Sequence, residues 1–507
     1  MKKILTLLVV AIVATTSNTY AQYASDALRF SQTNYGSTAR FKAMGNAQIA
    51  NGGDLSSLGG NPAGLGLFTK SEFGFTPEFN QSGMNASYLG QNDVTNKSQL
   101  NINQIGAVFF APTYKQKGED TKKGLISGVF GIGYNRTNDY GMEVNYAGSN
   151  GRNSITDYFA QLAGSTAPNN LAQGSLERMA YDNYLISFDN AAGNYFSETF
   201  VDQSRNQFNF QRKNEVRSGS VSEFNFSAAA NISNQFYIGA SIGLIDLRYN
   251  SDAQFEESGS AREYDASGNL TGNNINYKLL FNQSQVTKGS GVNGRVGVIF
   301  KPVDGLRLGA TIQTPTWFVI DDSYTEGLDN RGTIRGTTDK QTYDFTYNLR
   351  TPLKGSFGAS YVIAGQALIS ADIDYVDYSS IRFSTNNNGS SSDRNIMIDN
   401  NSDVRSNYKG AVNYRIGGEY KVNNLSLRAG YGVNGSPYKN DSDKVFDTKM
   451  YSGGLGYRVS NYYVDLTYQR VETNNDFTPY NLGNGAEPVA QVKNTKNNVF
   501  LTLGLRF

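Results

Sequence analysis

Asn497–Phe507 reads NNVFLTLGLRF. Val499, Leu501, Leu503, Leu505 and Phe507 fall on one side of a period-2 pattern, and Phe500, Thr502, Gly504 and Arg506 on the other. An apolar face opposite a small or polar one describes a half-buried strand. At the edge of a soluble sheet such a strand leaves open backbone groups beside an apolar face, which invites aggregation. Closing the sheet into a barrel removes the edge. A C-terminal strand of a soluble sheet fits the same letters, so the choice falls to the rest of the chain.

Upstream, strand-like stretches lie near 71–79, 101–113, 124–137, 219–231, 235–249, 288–301, 306–319, 353–363, 366–378, 410–421, 425–435, 449–459, 462–472 and 497–507. From the second strand on, their connections alternate. Short turns such as Pro302–Gly305, Ala364-Gly365 and Val422–Asn424 follow one set, and long Asn/Ser/Gly/Asp-rich stretches follow the other. Short turns at one end and long loops at the other mark a transmembrane antiparallel barrel, here of about 14 strands, with the short side periplasmic. The strand faces agree. Ala367, Ile369, Ala371, Ile373 and Tyr375 are expected toward lipid, with Ser370, Asp372 and Asp374 inward. Val292 to Phe300 and Leu425 to Val433 repeat the pattern, and Trp317 with Phe318 is placed in an aromatic girdle. Gly128, Gly131 and Gly133 suggest a bend in the wall at the third strand.

Composition supports this class. Hydrophobic residues make up 38%, while Gly (54), Tyr (33) and Phe (29) are abundant. A large soluble core asks for about 45–50% apolar residues. A barrel needs only an outer band about 25 Å tall, aromatic girdles and a small or polar interior. Lys2-Lys3, the uncharged run Ile4–Ala14 and Thr19-Tyr20-Ala21 read as a signal peptide over residues 1–21, so export is expected. The mature chain has no apolar run near the ~18 residues of a spanning helix. A net charge of +1 gives no case for nucleic acid. With no His and no Cys, Ser-His-Asp chemistry, imidazole metal sites and disulfides are excluded; no enzyme activity, cofactor or metal is expected.

Between the signal peptide and the first strand, Ala24, Ala27, Leu28 and Phe30 are spaced for a short amphipathic helix. There follows ARFKAMGNAQIANGGDLSSLGGNPAGLGLF, with Asn61-Pro62-Ala63-Gly64 leading into the barrel. This stretch resembles the N-terminal hatch of FadL-type outer-membrane transporters of long-chain fatty acids and hydrocarbons. Residues 291–315, 353–379, 425–438 and 451–469 extend the likeness. The resemblance implies a hatch over residues 22–70 inside a barrel of residues 71–507, gated near Asn61, Pro62, Ala63 and Gly64. It implies passive uptake of hydrophobic small molecules such as fatty acids through the bacterial outer membrane. Its other expected partners are outer-membrane lipid, lipopolysaccharide and the barrel-insertion machinery, whose sorting signal Phe507 resembles.

About fourteen strands leave a lumen that must be filled or it conducts. Inward-facing Arg295, Arg307, Asp372, Asp374, Arg415, Glu419, Arg428, Arg458 and Asp465 are expected to pair with one another or with the hatch, or to hold a substrate carboxylate. In the long connection 138–218, Ser154–Asp157 reads as a capping box. Ile155, Tyr158, Phe159 and Leu162, then Leu176 and Met179, mark two apolar helix faces, either packed together or lining an extracellular groove for hydrophobic molecules. Competing readings are a diffusion porin for polar solutes and a surface-binding or adhesin barrel, including haem capture through Tyr or Met.

Overall fold

The computed structural model describes residues 17–507 except 33, 117–119, 266–268, 332–338 and 386–389. Most of the expected signal peptide lies outside the described residues. The first element, helix α1 (Ser17–Ser31), begins before the expected cleavage point.

Fourteen strands close into one antiparallel barrel: β1 (Glu72–Tyr88), β2 (Gln91–Pro112), β3 (Leu125–Asp139), β4 (Asn209–Ile232), β5 (Phe236–Tyr264), β6 (Leu270–Phe300), β7 (Leu306–Gln313), β8 (Lys354–Ile363), β9 (Ala367–Asp377), β10 (Gly410–Val422), β11 (Leu425–Asn434), β12 (Thr448–Val459), β13 (Tyr462–Phe477) and β14 (Ala490–Arg506). Each pairs with its chain neighbour, and β14 pairs with β1 from Arg506↔Glu72 to Gln491↔Ser87. Alternation at lipid depth follows the pattern of the letters. Ile369, Ile373 and Tyr375 are exposed outward, and Ser370, Asp372 and Asp374 are buried inward. Trp317 faces out, but Phe318 turns inward into the upper core and does not join the girdle.

The strands run further than hydrophobic periodicity indicates. Residues 80–100 form the upper arms of β1 and β2, joined by Leu89-Gly90, both at positive φ as a tight hairpin turn requires. β5 and β6 stay paired up to Tyr264↔Leu270. Met142–Asn150 pairs with upper β4, and Trp317–Asn330 pairs with both upper β6 and Asp339–Arg350. Above the lipid band the outer face of a strand meets water, and only scattered positions such as Met84, Tyr88, Phe255 and Phe281 face an apolar cluster, so apolar alternation is too broken to mark these arms.

The arms carry a second core. Helix α3 (Ile155–Ala163) starts at the Ser154/Asp157 capping box, and helix α4 (Leu176–Asp182) is capped by Ser175. Both pack on Phe255, Tyr277, Leu279, Phe281, Leu328 and Tyr480. At their base the buried Glu257 carboxylate accepts hydrogen bonds from the Ser154 hydroxyl, the Ile155 amide (3.2 Å), Gln211 Nε2 (2.5 Å) and the Tyr277 hydroxyl (2.7 Å). Glu257→Ala leaves these donors unsatisfied. Local stability is expected to fall by about 2–4 kcal/mol, with faster proteolysis inside residues 151–208 and unchanged membrane insertion. Limited proteolysis of the purified protein checks both.

Candidate functional site

The lumen is plugged by the N-terminal segment. Helix α2 (Ala39–Ala43) and the 3-10 turns Leu55–Leu58 and Pro62–Leu67 are buried along most of their length. They are short because Gly and Asn punctuate the stretch: Asn46 and the glycines at 45 and 53 stand at positive φ. Asp54 caps the first turn by accepting from the Ser56 amide, and Asn61 caps the second by accepting from the Ala63 amide.

The plug meets the wall through apolar contacts, as where Leu55, Leu58, Leu65 and Phe68 pack with Val108 and Val129, and through hydrogen bonds. Ala39 donates to Thr502 Oγ1 (2.7 Å) and accepts from Thr467 Oγ1 (2.6 Å). The Gln48 and Ile49 amides donate to Asp372 Oδ2 at 2.5 and 2.8 Å. Asn61 Nδ2 donates to the carbonyls of Ile49 (2.7 Å) and Val298 (3.1 Å). Wall glycines make the close approach possible: a side chain at Gly297 would collide with Asn61, and one at Gly239 with Pro62. Ala63 and Gly64 are buried in the same turn. Gly131 and Gly133 seat Leu58 of the plug and remain laddered to β2 and β4, and Gly128 is laddered likewise.

Most of the expected lumen charges are paired. Arg295 makes a two-pronged pair with Glu223 and also donates to Gln313. Arg415 pairs with Asp374, which takes Lys354 (3.5 Å) and the Tyr35 hydroxyl (3.0 Å) as well. Glu419 joins Arg40 of the plug (2.9 Å) to Arg428 (2.6 Å), and Arg428 continues to Asp465 (2.5 Å). Arg458 is exposed near the short-turn end, with its guanidinium 5.3 Å over the ring of buried Tyr463, and makes no ion pair among the described residues. Arg307 is half-buried and makes no ion pair among the described residues. Glu223 and Arg40 had no signal in the letters, because neither the β4 register nor the fold of the plug can be read from local pattern.

Above the plug, a cavity of about 590 Å³ is lined by aromatic groups such as Tyr140, Tyr249 and Phe500 and by charges including Lys42, Glu78, Arg136 and Lys496. Asn34, Thr137, Tyr378 and Asn413 are shared between it and a smaller chamber of about 40 Å³ beneath α1. Burial lowers the Lys42 ammonium, which belongs to the plug, to about 8. The expected extracellular groove is not open. Ile155, Phe159, Leu176 and Met179 are buried against each other and the upper strands, and Tyr158 and Leu162 pack on that cluster. Burial raises the Asp157 carboxyl at the head of α3.

The match to known proteins fits this geometry. Residues 192–507 match a family described as outer membrane protein transport protein (OMPP1/FadL/TodX). Among solved structures, the chain is similar to the toluene transporter TodX of Pseudomonas putida, with 13% identity, a TM-score of 0.52, and 94% of this chain and 99% of that one covered. A FadL homologue of Pseudomonas aeruginosa gives the same values. A search of curated proteins finds no match.

Glu419→Gln removes the carboxylate that Arg40 and Arg428 share, and leaving buried cations short of a partner costs about 3–5 kcal/mol. The chain has no Cys, so a single Ser57→Cys reports on the plug. Labelling of that thiol by a polar maleimide is expected to be several-fold faster in the Glu419→Gln background, with the barrel still assembled.

Proposed function

This chain belongs to the outer membrane protein transport protein family (OMPP1/FadL/TodX), and on that premise we propose that it takes up hydrophobic small molecules passively, with residues 22–70 as a gating hatch. Long-chain fatty acids and monoaromatic hydrocarbons are the substrate classes. The observation that carries the reading is a lumen stopped by a plug whose ties to the wall include hydrogen bonds to the side chains of Thr467, Thr502, Asp372 and Ser452. Such ties are individually worth about 0.5–1.5 kcal/mol, so they can exchange without unfolding the barrel. A pore for polar solutes has no use for such a stopper.

A solute enters the cavity above the plug, where aromatic rings offer contact area and paired charges keep the lumen hydrated. It passes Tyr378 and Asn413 toward the inner chamber as the plug shifts. Asn61 is the hinge point of this shift, because its amide links Ile49 of the plug to Val298 of the wall. The exported chain reaches the outer membrane through its signal peptide and lies among lipid and lipopolysaccharide. Phe507, exposed at the barrel end, is offered to the insertion machinery.

Cells lacking their own outer-membrane fatty-acid channel, expressing this chain at a verified surface level, are expected to take up radiolabelled oleate or toluene faster than vector controls. No gain with either probe overturns the reading. Asn61→Ala with Pro62→Ala is expected to lower that uptake with surface level unchanged; loss of surface protein instead removes the gating role.

A further inference from the structure

The outer face of β12, β13 and β14 changes character in one step at the long-loop end. Lower down, Leu455, Tyr457, Val464, Leu466, Val499 and Leu503 are exposed toward lipid. This apolar face closes on tyrosines: Tyr451 and Tyr468 are exposed, and the Tyr431 ring of β11 lies with its centroid 5.2 Å from that of Tyr451. A tyrosine at this depth keeps its ring at the edge of the hydrocarbon and its hydroxyl in water. Between Val459 and Lys449, β12 climbs about 25 Å at a tilt of about 40°, which is the height of the lipid band. Lys449 therefore stands where hydrocarbon gives way to headgroups.

Two further cations stand beside it. The registers Tyr451↔Arg470 and Lys449↔Glu472 put Arg470 next to the tyrosine row and Glu472 across from Lys449. Arg470 Nη2 lies 2.7 Å and Lys493 Nζ 3.3 Å from the Glu472 carboxylate. Lys449 is exposed and makes no ion pair among the described residues. Cations from three neighbouring strands thus surround one carboxylate. Asp447, just before β12, accepts from the Ser436 amide (2.8 Å), and Asp476 lies further up β13. The outward cations of β5 and β6 are arranged differently. Arg248 is 3.1 Å from Asp246, and Lys288 faces Asp321 across the register, so two carboxylates offset two cations. Positive charge is left over on β12 to β14 and not there.

We propose that Lys449, Arg470 and Lys493 form a phosphate site for lipopolysaccharide on the outer wall, holding one lipid A phosphate above the tyrosine row while the acyl chains lie along Leu455 and Leu466. A phosphate monoester carries about −1.5 to −2 charges, close to what three cations around one carboxylate leave unmatched. Near an anionic headgroup layer each Lys or Arg strengthens attachment about fivefold, and the Arg470 guanidinium can meet two phosphate oxygens at once. These side chains stand outside the ladder, so turning them to a phosphate breaks no strand pairing. The inference rests on the outer-membrane placement in the uptake reading above and is independent of what the lumen carries.

The test titrates the purified, detergent-solubilised barrel with bisphosphorylated lipid A in EDTA and counts bound lipid by native mass spectrometry, with dephosphorylated lipid A and phosphatidylglycerol as parallel probes. Expected is a preference for bisphosphorylated lipid A whose binding falls by about tenfold or more in the triple variant Lys449→Gln, Arg470→Gln, Lys493→Gln. Binding is expected to stay within about twofold in Arg248→Gln with Lys288→Gln, where no charge is left over. Glu472→Gln removes the competing carboxylate and is expected to bind the same lipid several-fold tighter, a gain that an ion cluster serving only the wall would not show. Unchanged binding by the triple variant, or equal binding of dephosphorylated lipid A or of phosphatidylglycerol, overturns the site. Each variant is first checked for the heat-dependent gel shift of a folded barrel. If the triple variant fails that check, Lys449→Gln alone decides by a fall of about fivefold or none. Oleate uptake by the wild-type chain is scored separately: its absence defeats the uptake reading and leaves this site standing, whereas phosphate-blind lipid binding defeats the site alone.

Discussion

No water reaches a backbone amide facing hydrocarbon, so every strand here depends on a neighbour, and the set depends on β14 meeting β1. That one closing pair, Leu505↔Phe73 through Gln491↔Ser87, removes the last open edge.

A closed ring of fourteen strands creates the next problem, a lumen too wide for its own side chains. The plug answers it with polar atoms as well as apolar ones: Thr467, Thr502, Ser452, Asp372 and Asn61 bond to backbone or are bonded by it. Arg40 adds one charged link through Glu419. Hydrogen-bonded packing of this kind holds a stopper in place yet lets it trade one partner for another, which a tightly interdigitated apolar core resists. Apolar groups of the plug pack on the wall as well, Leu55, Leu58, Leu65 and Phe68 against Val108 and Val129, and a further apolar core lies where Phe30, Tyr140, Tyr249 and Phe318 meet beneath the mouth.

Much of this was legible in the letters wherever one face of a strand meets lipid. Ile369-Ser370-Ala371-Asp372-Ile373-Asp374 can sit only one way round, and each stretch singled out by alternation is a barrel strand. Legibility stopped where lipid stops. Residues 80–100 and 250–287 are paired strands in which Met84, Ala86 and Tyr88, and Phe255, Tyr277, Leu279 and Phe281, face the outer cores, but polar and charged residues interrupt the alternation too often for the period to be read. Among the site residues, Arg295, Asp374, Arg415 and Arg428 were visible as inward charges, but their partners Glu223 and Arg40 were not, since partnership depends on register and on the fold of the plug. Phe318 was misplaced because neighbours on a strand point to opposite faces, so with Trp317 outward Phe318 turns in. The outer helices were readable, α3 from its capping box and α4 from the helical spacing of Leu176 and Met179, but whether two apolar faces meet each other or a ligand is decided by packing alone.

The central claim is that this barrel is stopped to ions while it passes apolar solutes, and planar-bilayer recording on the purified protein tests it most directly. The account predicts no steady ion conductance from the wild-type chain under conditions in which it carries hydrophobic solute. A large, constant, ohmic conductance would contradict it, because the plug would then not close the lumen and the chain would act as an open pore.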